Sequence, residues 1–278
     1  MRGTYGLMKV DAWTLRKRRL EKLWRWTNER APFKYQGQGQ HSIKTGDIDE
    51  DGCDEILNGS IAIDNDGRTM WSTGLGHGDR FYLSDIAPDR PGLEIWYTIE
   101  DPHPQNGVSL WDARRGIPIF GTQEPTRDNQ VAGGLAADID PSRPGMEVWG
   151  DRFFFSAAGV PIPGDVPPQG DLAWWDADLL REIVSRGSIG KWQGATLGRV
   201  EGSVQQIADI AGDWREEIVT FVRGELRIYG TTVPAADRRV TLMQDALYRN
   251  DVTHRSMGYP HVPMTSYFLG ERPRTTRR

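Results

Sequence analysis

The sequence has a single cysteine, Cys53, among 278 residues, so no internal disulfide framework can hold the chain together. It contains no apolar run near the roughly 18 residues that a membrane-crossing helix needs. The first residues lack the charged, apolar, small-residue order of a secretory signal. Basic residues do not dominate: 34 Lys and Arg stand against 39 Asp and Glu, a net charge of −5. That balance gives no electrostatic footprint for nucleic acid. The basic residues 271–278 read as a disordered, solvated tail, leaving 1–270 as the folded unit. No Gly-Lys-Ser/Thr phosphate loop, zinc-type Cys/His spacing or Gly-x-Ser-x-Gly elbow occurs.

What the chain does have is glycine (32), tryptophan (11) and a repeating acidic plan. Asp47-Ile48-Asp49-Glu50-Asp51-Gly52 leads to Glu55. Asp85-Ile86-Ala87-Pro88-Asp89 leads to Glu94. Asp138-Ile139-Asp140 leads to Glu147, and Asp209-Ile210-Ala211-Gly212-Asp213 leads to Glu217. Each time an Asp ends one apolar run and a Glu eight or nine residues later opens the next. Alternating apolar residues flank Asp- and Gly-bearing turns at Asp64 to Gly67 and at Asp112 to Gly116, a hairpin signal. Phe153 to Ile162 looks like a further copy. Residues 93–99 and 224–229 alternate as half-buried strands would, and residues 6–13 and 19–27 read as a hairpin or an amphipathic helix.

Repeats of strand, acidic turn, strand and hairpin predict an all-β fold, a β-propeller. The repeated Glu residues lie 39, 53 and 70 positions apart. The longest gap leaves room for a blade without an acidic turn around Leu172 to Trp175, or for a short helix over 176–185. Residues 233–270 are expected to close or cap the array.

Carboxylates at alternate positions with a glycine for the bend suit a hard cation such as Ca²⁺. The predicted metal ligands are Asp47, Asp49, Asp51, Glu55, Asp79, Asp85, Glu94, Asp138, Asp140, Glu147, Asp209, Asp213 and Glu217. The alternative is that these are Asx-rich turns that satisfy their own backbone. Arg215 is expected to pair with Asp213 or Glu216.

Several strings resemble a known family. They are Gln36 to Ser42, Trp71-Ser72-Thr73-Gly74-Leu75-Gly76-His77-Gly78-Asp79, Trp174-Trp175-Asp176-Ala177-Asp178-Leu179-Leu180-Arg181-Glu182, Gly212-Asp213-Trp214-Arg215-Glu216-Glu217 and Tyr248-Arg249-Asn250-Asp251-Val252. Together they are similar to the rhamnogalacturonan lyases of polysaccharide lyase family 11. That resemblance implies an eight-bladed propeller binding several Ca²⁺ ions and cleaving pectic rhamnogalacturonan by β-elimination. It implies that this chain is the C-terminal part, or a smaller set of blades, with the N-terminal blades missing. It further implies an extracellular or periplasmic location and an acidic polysaccharide as partner; no membrane partner and a monomer are expected.

The chain departs from the family where an Arg usually precedes the turn at Asp138 and a Lys the turn at Asp209. These places read Val131-Ala132-Gly133-Gly134 and Glu201-Gly202-Ser203-Val204-Gln205. A different substrate, a non-catalytic calcium-stabilised propeller that binds glycan or protein, or an inactive fragment are the alternatives.

A lyase acting on a uronic acid needs positive charge on the carboxylate and a base for the proton at C5. His77, between two glycines, is the first catalytic candidate, with Asp79 to orient it or bind metal. His254 and Tyr259 are candidates for base and acid. His41, Arg249 and Trp214 are candidates for substrate binding, Arg249 through its planar fork. His103 and His261, beside prolines, are expected in exposed loops, and Trp174 and Trp175 either stack on sugars or pack inside the fold.

Overall fold

The computed structural model describes residues 5–30, 35–100, 105–122, 131, 133–235, 237–255 and 258–270. Among them the fold is all-β, with six small antiparallel sheets and no closed barrel. Hairpin β1–β2 (9–16, 19–27) is followed by β3–β6 (44–46, 55–57, 61–63, 69–72) and β7–β10 (80–84, 94–98, 108–112, 117–121). Then come β11–β13 (135–137, 147–150, 153–155), β14–β17 (171–173, 182–185, 188–190, 196–199) and β18–β20 (203–208, 217–222, 225–229). Each sheet is a meander whose neighbours in sequence pair in space, as short local connections favour.

Every sheet packs on the next one along the chain. Met8 and Trp26 meet Ile61 and Ile63, and Trp96 donates its indole N–H to the Trp149 carbonyl at 3.2 Å. Phe154 meets Trp192 edge-on at 5.9 Å, and Val184 and Ile189 share a cluster with Ile207 and Ile218. The middle strands β8 and β12 are therefore covered on both faces. For this reason β8 is buried at all five positions, and not at alternate positions as its period of two suggested.

A recurring lock ties consecutive sheets together. The turn glycines Gly67, Gly116 and Gly159 all have positive φ, and each lies under an aromatic ring from the preceding sheet: Trp24, Trp71 and Phe120. Trp24 and Trp71 also donate their indole N–H across the gap, to Asn65 and Ala113 carbonyls. Only glycine supplies both the left-handed backbone and the space for the ring.

Of the two alternatives for this stretch, the short helix over 176–185 is absent and a sheet is present. That segment bends and enters β15, completing a four-stranded sheet. The helix is instead α1 (246–254), capped by Asp245, whose side chain accepts the Leu247 N–H at 3.2 Å. From α1 to residue 270 the chain runs among the first strands of the sheets. Lys44 of β3 pairs with Asp251 at 2.8 Å, and the Ser84 hydroxyl of β7 donates to the Thr265 carbonyl. Asp171 of β14 pairs with Arg255, and Gln206 of β18 donates to the Val252 carbonyl. His261 lies within this packing at 2% exposure, which corrects the expectation of an exposed loop residue. His103 and the tail 271–278 lie outside the described residues.

Candidate functional site

Three loops and one strand end converge on His77. His41 comes from the loop before β3, His77 and Asp79 from the loop between β6 and β7, and Glu100 from just beyond β8. Gly78 makes the approach possible: a Cβ there would collide with the Thr98 carbonyl at the end of β8. Gly258 is pressed in the same way against the His41 carbonyl, which brings Tyr259 over His41 with ring centroids 4.2 Å apart. The Glu100 N–H donates to the His77 carbonyl at 2.9 Å.

His77 is fully buried, with Nδ1 2.6 Å from the Gly39 carbonyl and Nε2 3.1 Å from Glu100 Oε2. A carbonyl oxygen only accepts, so Nδ1 carries a proton. Nε2 faces a carboxylate oxygen, a pairing that calls for a second proton or a cation between them. Asp79 Oδ1 stands 3.3 Å from His41 Nε2 and 3.9 Å from His77 Nε2. Burial, then the neighbouring Glu100, pushes the Asp79 carboxyl above its ordinary range. His41, His77 and Asp79 each bring one ligand atom within 4.8 Å of the others, a donor set that fits a divalent cation, with Glu100 beside His77. His77 has no exposed surface of its own. Tyr259, 43% exposed, is the solvent-facing member.

The acidic turns share one device. The repeated Glu bends back and its Oε2 accepts N–H groups from the turn, which have no ladder partner. Glu55 takes Ile48, Glu94 takes Ile86 and Ala87, Glu147 takes Ile139 and Asp140, and Glu217 takes Ile210 and Ala211, all between 2.8 and 3.1 Å. Glu182 does the same with Trp175 and Asp176. It reveals a fifth acidic turn in place of the one expected to be missing. With it the 70-residue gap divides into two spacings of 35. The signal was hidden because Trp174 occupies the position that Asp fills in the other four. Its N–H is taken by Glu216, at 3.0 Å.

The predicted ligands differ in what they are free to do. Asp47, Asp49 and Glu55 bring their oxygens within 4.8 Å of one another. Glu55 Oε1 and Glu147 Oε1, both on residues with 0% exposure, have no hydrogen-bond partner, and neither does Asp138 Oδ1. Burial raises Glu55, Glu94 and Glu147 to about 7 and Asp138 to about 8. These groups fit a cation that would offset the cost of burying their charge. Asp47 and Asp49 also accept turn N–H groups, from Asp51 and Gly52; Asp51 accepts from the Cys53 N–H and from Asn65, and Asp85 accepts from the Phe268 N–H. Asp140 is taken by Arg143 and Ser142, and Asp213 by Arg215. Asp209 accepts five hydrogen bonds, from Gly212, Asp213, Trp214, Thr241 and Leu242, so it is a self-satisfying Asx turn.

The remaining candidates are not gathered around His77. His254 ends α1 beside Ile43, Lys44 and Asp251, and its pKa is lowered first by burial. Arg249 donates to the Met243 carbonyl at 2.8 Å and closes the turn before α1. Trp214, 1% exposed, packs beneath Arg239 and donates to the Asp237 carbonyl, so it offers no ring face to a sugar. Trp174 and Trp175 are buried as well. Glu100 was missed in the sequence, because only the β-pairing that ends at Thr98 carries it to His77.

The family model for rhamnogalacturonan lyase family 11, C-terminal domain, matches residues 1–278. The chain belongs to this family. It is 40% identical to the rhamnogalacturonan endolyase YesW of Bacillus subtilis (strain 168) over 288 residues, covering 97% of this chain and 46% of that one. The crystal structure of YesW superposes with a TM-score of 0.89 at 38% identity, over 97% of this chain and 49% of that chain. A Bacillus licheniformis rhamnogalacturonan lyase superposes at 0.90 with 38% identity, over 98% and 49%. The exolyase YesX of Bacillus subtilis is 35% identical over 304 residues, 97% of this chain and 49% of that one. This member of family 11 therefore spans about half the length of the relatives it matches.

Proposed function

We propose that this chain forms part of a polysaccharide lyase that cleaves a rhamnogalacturonan-like, uronate-containing polymer by β-elimination with calcium. The observation that carries the reading is the convergence of His41, His77, Asp79 and Glu100, in a chain of the lyase family, beside the exposed phenol of Tyr259. In the reaction the proton at C5 of the uronate passes to a base, the bond from C4 to the glycosidic oxygen breaks, that oxygen takes up a proton, and a C4–C5 double bond forms. Tyr259 is the group that exchanges a proton with the sugar, positioned by His41 beneath it. His41, His77 and Asp79 would hold a divalent cation, which would supply positive charge to offset the buried carboxylates and a uronate carboxylate. Calcium in the turns at Asp47 and Asp138 has a structural role.

The same proposal takes the six sheets as blades of a propeller, since each packs on the next and the chain accounts for about half of its relatives. It places the protein outside the cytoplasm as a monomer. The test is to incubate this chain, and a version extended to the relatives' full length, with rhamnogalacturonan and other acidic polysaccharides. The ultraviolet absorbance of an unsaturated uronate should appear, vanish on chelation and return with calcium. Absence of product from the extended chain across the panel refutes the lyase reading.

A second reading is favoured by the missing basic residues before the turns at Asp138 and Asp209, where buried Val131 and exposed Glu201 stand. In this reading the protein holds glycan without cleaving it, because one fold hosts many functions. Binding by the extended chain with no turnover supports it.

A further inference from the structure

We propose that Lys191 is the resident cation of the acidic turn at Asp176, a covalently attached counter-ion that takes the place of a divalent metal there. Its Nζ lies 2.8 Å from Asp176 Oδ2, 2.6 Å from Asp178 Oδ2 and 3.0 Å from Glu182 Oε1. The three N–H donors of one ammonium are matched by three carboxylates. These same carboxylates bring their oxygens within 4.8 Å of one another, as Asp47, Asp49 and Glu55 do in the first turn.

The comparison between turns makes the assignment. Glu55, Glu147 and Glu182 occupy equivalent positions, each holding its turn through Oε2. In the first and third turns the other oxygen, Oε1, is buried without a partner. In the turn at Asp176 that oxygen is held by Lys191. An ammonium has one positive charge and needs no dissociation equilibrium, so this turn keeps its counter-ion at any calcium concentration.

The chain fixes Lys191 in place. It sits in the turn between β16 and β17, where its N–H donates to the Ala195 carbonyl and its own carbonyl accepts from Gly194, both at 3.1 Å. Burial disfavours the ammonium. Hydrogen bonds to Asp176, Asp178 and Glu182 outweigh that cost and raise the lysine above its ordinary range.

The inference rests on the reading that acidic turns of this kind accept divalent cations, and the experiment separates the two. Calcium ions bound to the whole chain are counted by native mass spectrometry for the wild type, Lys191→Met and Lys191→Arg. Hydrogen exchange follows residues 176–182 with calcium and with chelator. Lys191→Met is expected to bind one ion more than the wild type, and Lys191→Arg the same number as the wild type. Chelation should raise exchange around Asp47 and Asp138 in the wild type while residues 176–182 stay protected; in Lys191→Met these residues should lose protection as well. A wild type that binds no calcium refutes calcium in the turns, whatever Lys191→Met does. No additional ion in Lys191→Met, with the turn protected or open, overturns the assignment of Lys191. So does loss of one ion from the wild type on Asp178→Asn.

Discussion

Replacing Gly116 by alanine tests how the sheets are locked together. Gly116 closes the β9–β10 hairpin at φ 61°, and a Cβ there would lie 2.5 Å from Trp71 Cγ. Forcing an L-residue into the left-handed region costs about 1–2 kcal/mol, reduced by the ~0.4–1 kcal/mol that alanine gains by restricting the unfolded chain. Ordinary carbon contacts begin about 1 Å further out, and overpacking of that kind costs about 1–3 kcal/mol. The expected loss is about 2–4 kcal/mol, or roughly 5–10 °C in melting temperature for a chain of this size. Gly224 provides the control. It closes the β19–β20 hairpin at φ 86° with nothing within 4 Å, so Gly224→Ala should show the backbone cost alone, about 1 kcal/mol or less. Urea unfolding followed by tryptophan fluorescence measures both. In a Trp71→Leu background the Gly116→Ala penalty should fall towards the control value, a coupling of about 1–3 kcal/mol. Equal losses at the two glycines, or a Gly116→Ala penalty that ignores Trp71, would refute the proposed lock.

Three further outcomes can be checked. Lys44→Met leaves Asp251 buried and unpaired and should cost about 3–5 kcal/mol; Lys44→Met with Asp251→Leu should recover part of that loss in the same urea titration. Glu147 has its folded pKa raised to about 7 by burial, so the folded state holds its proton more tightly than the unfolded state. Its contribution is full below about pH 4.5 and is lost as pH rises through 7, by up to about 3 kcal/mol in chelated protein. Glu147→Gln, which keeps an oxygen for Ile139 and Asp140, should flatten that slope; an unchanged slope contradicts the assignment. At the candidate centre, His77→Ala should weaken cation binding by about 10–100-fold. Tyr259→Phe should leave that affinity unchanged and lower turnover, and the opposite pattern would reverse the two roles.

The sequence by itself carried the all-β class, the hairpins and the acidic repeat, because these depend on local spacing: a side-chain period of two, turn residues at fixed offsets, a Glu eight or nine positions after an Asp. It also pointed to the Gly76-His77-Gly78 segment, in which Gly78 comes so near the Thr98 carbonyl that a Cβ would collide with it. What it could not contain were relations set by packing between distant segments. Glu100 reaches His77 only through the end of β8. Lys191 meets Asp176 only because the β16–β17 turn folds back over it. Trp214, Arg249 and His261 carry side chains suited to a ligand, but tertiary packing buries Trp214 and His261, and Arg249 is taken by the Met243 carbonyl. Local chemistry wrote the turns, and long-range contacts decided which carboxylate oxygens were left buried without a hydrogen-bond partner and which were already satisfied.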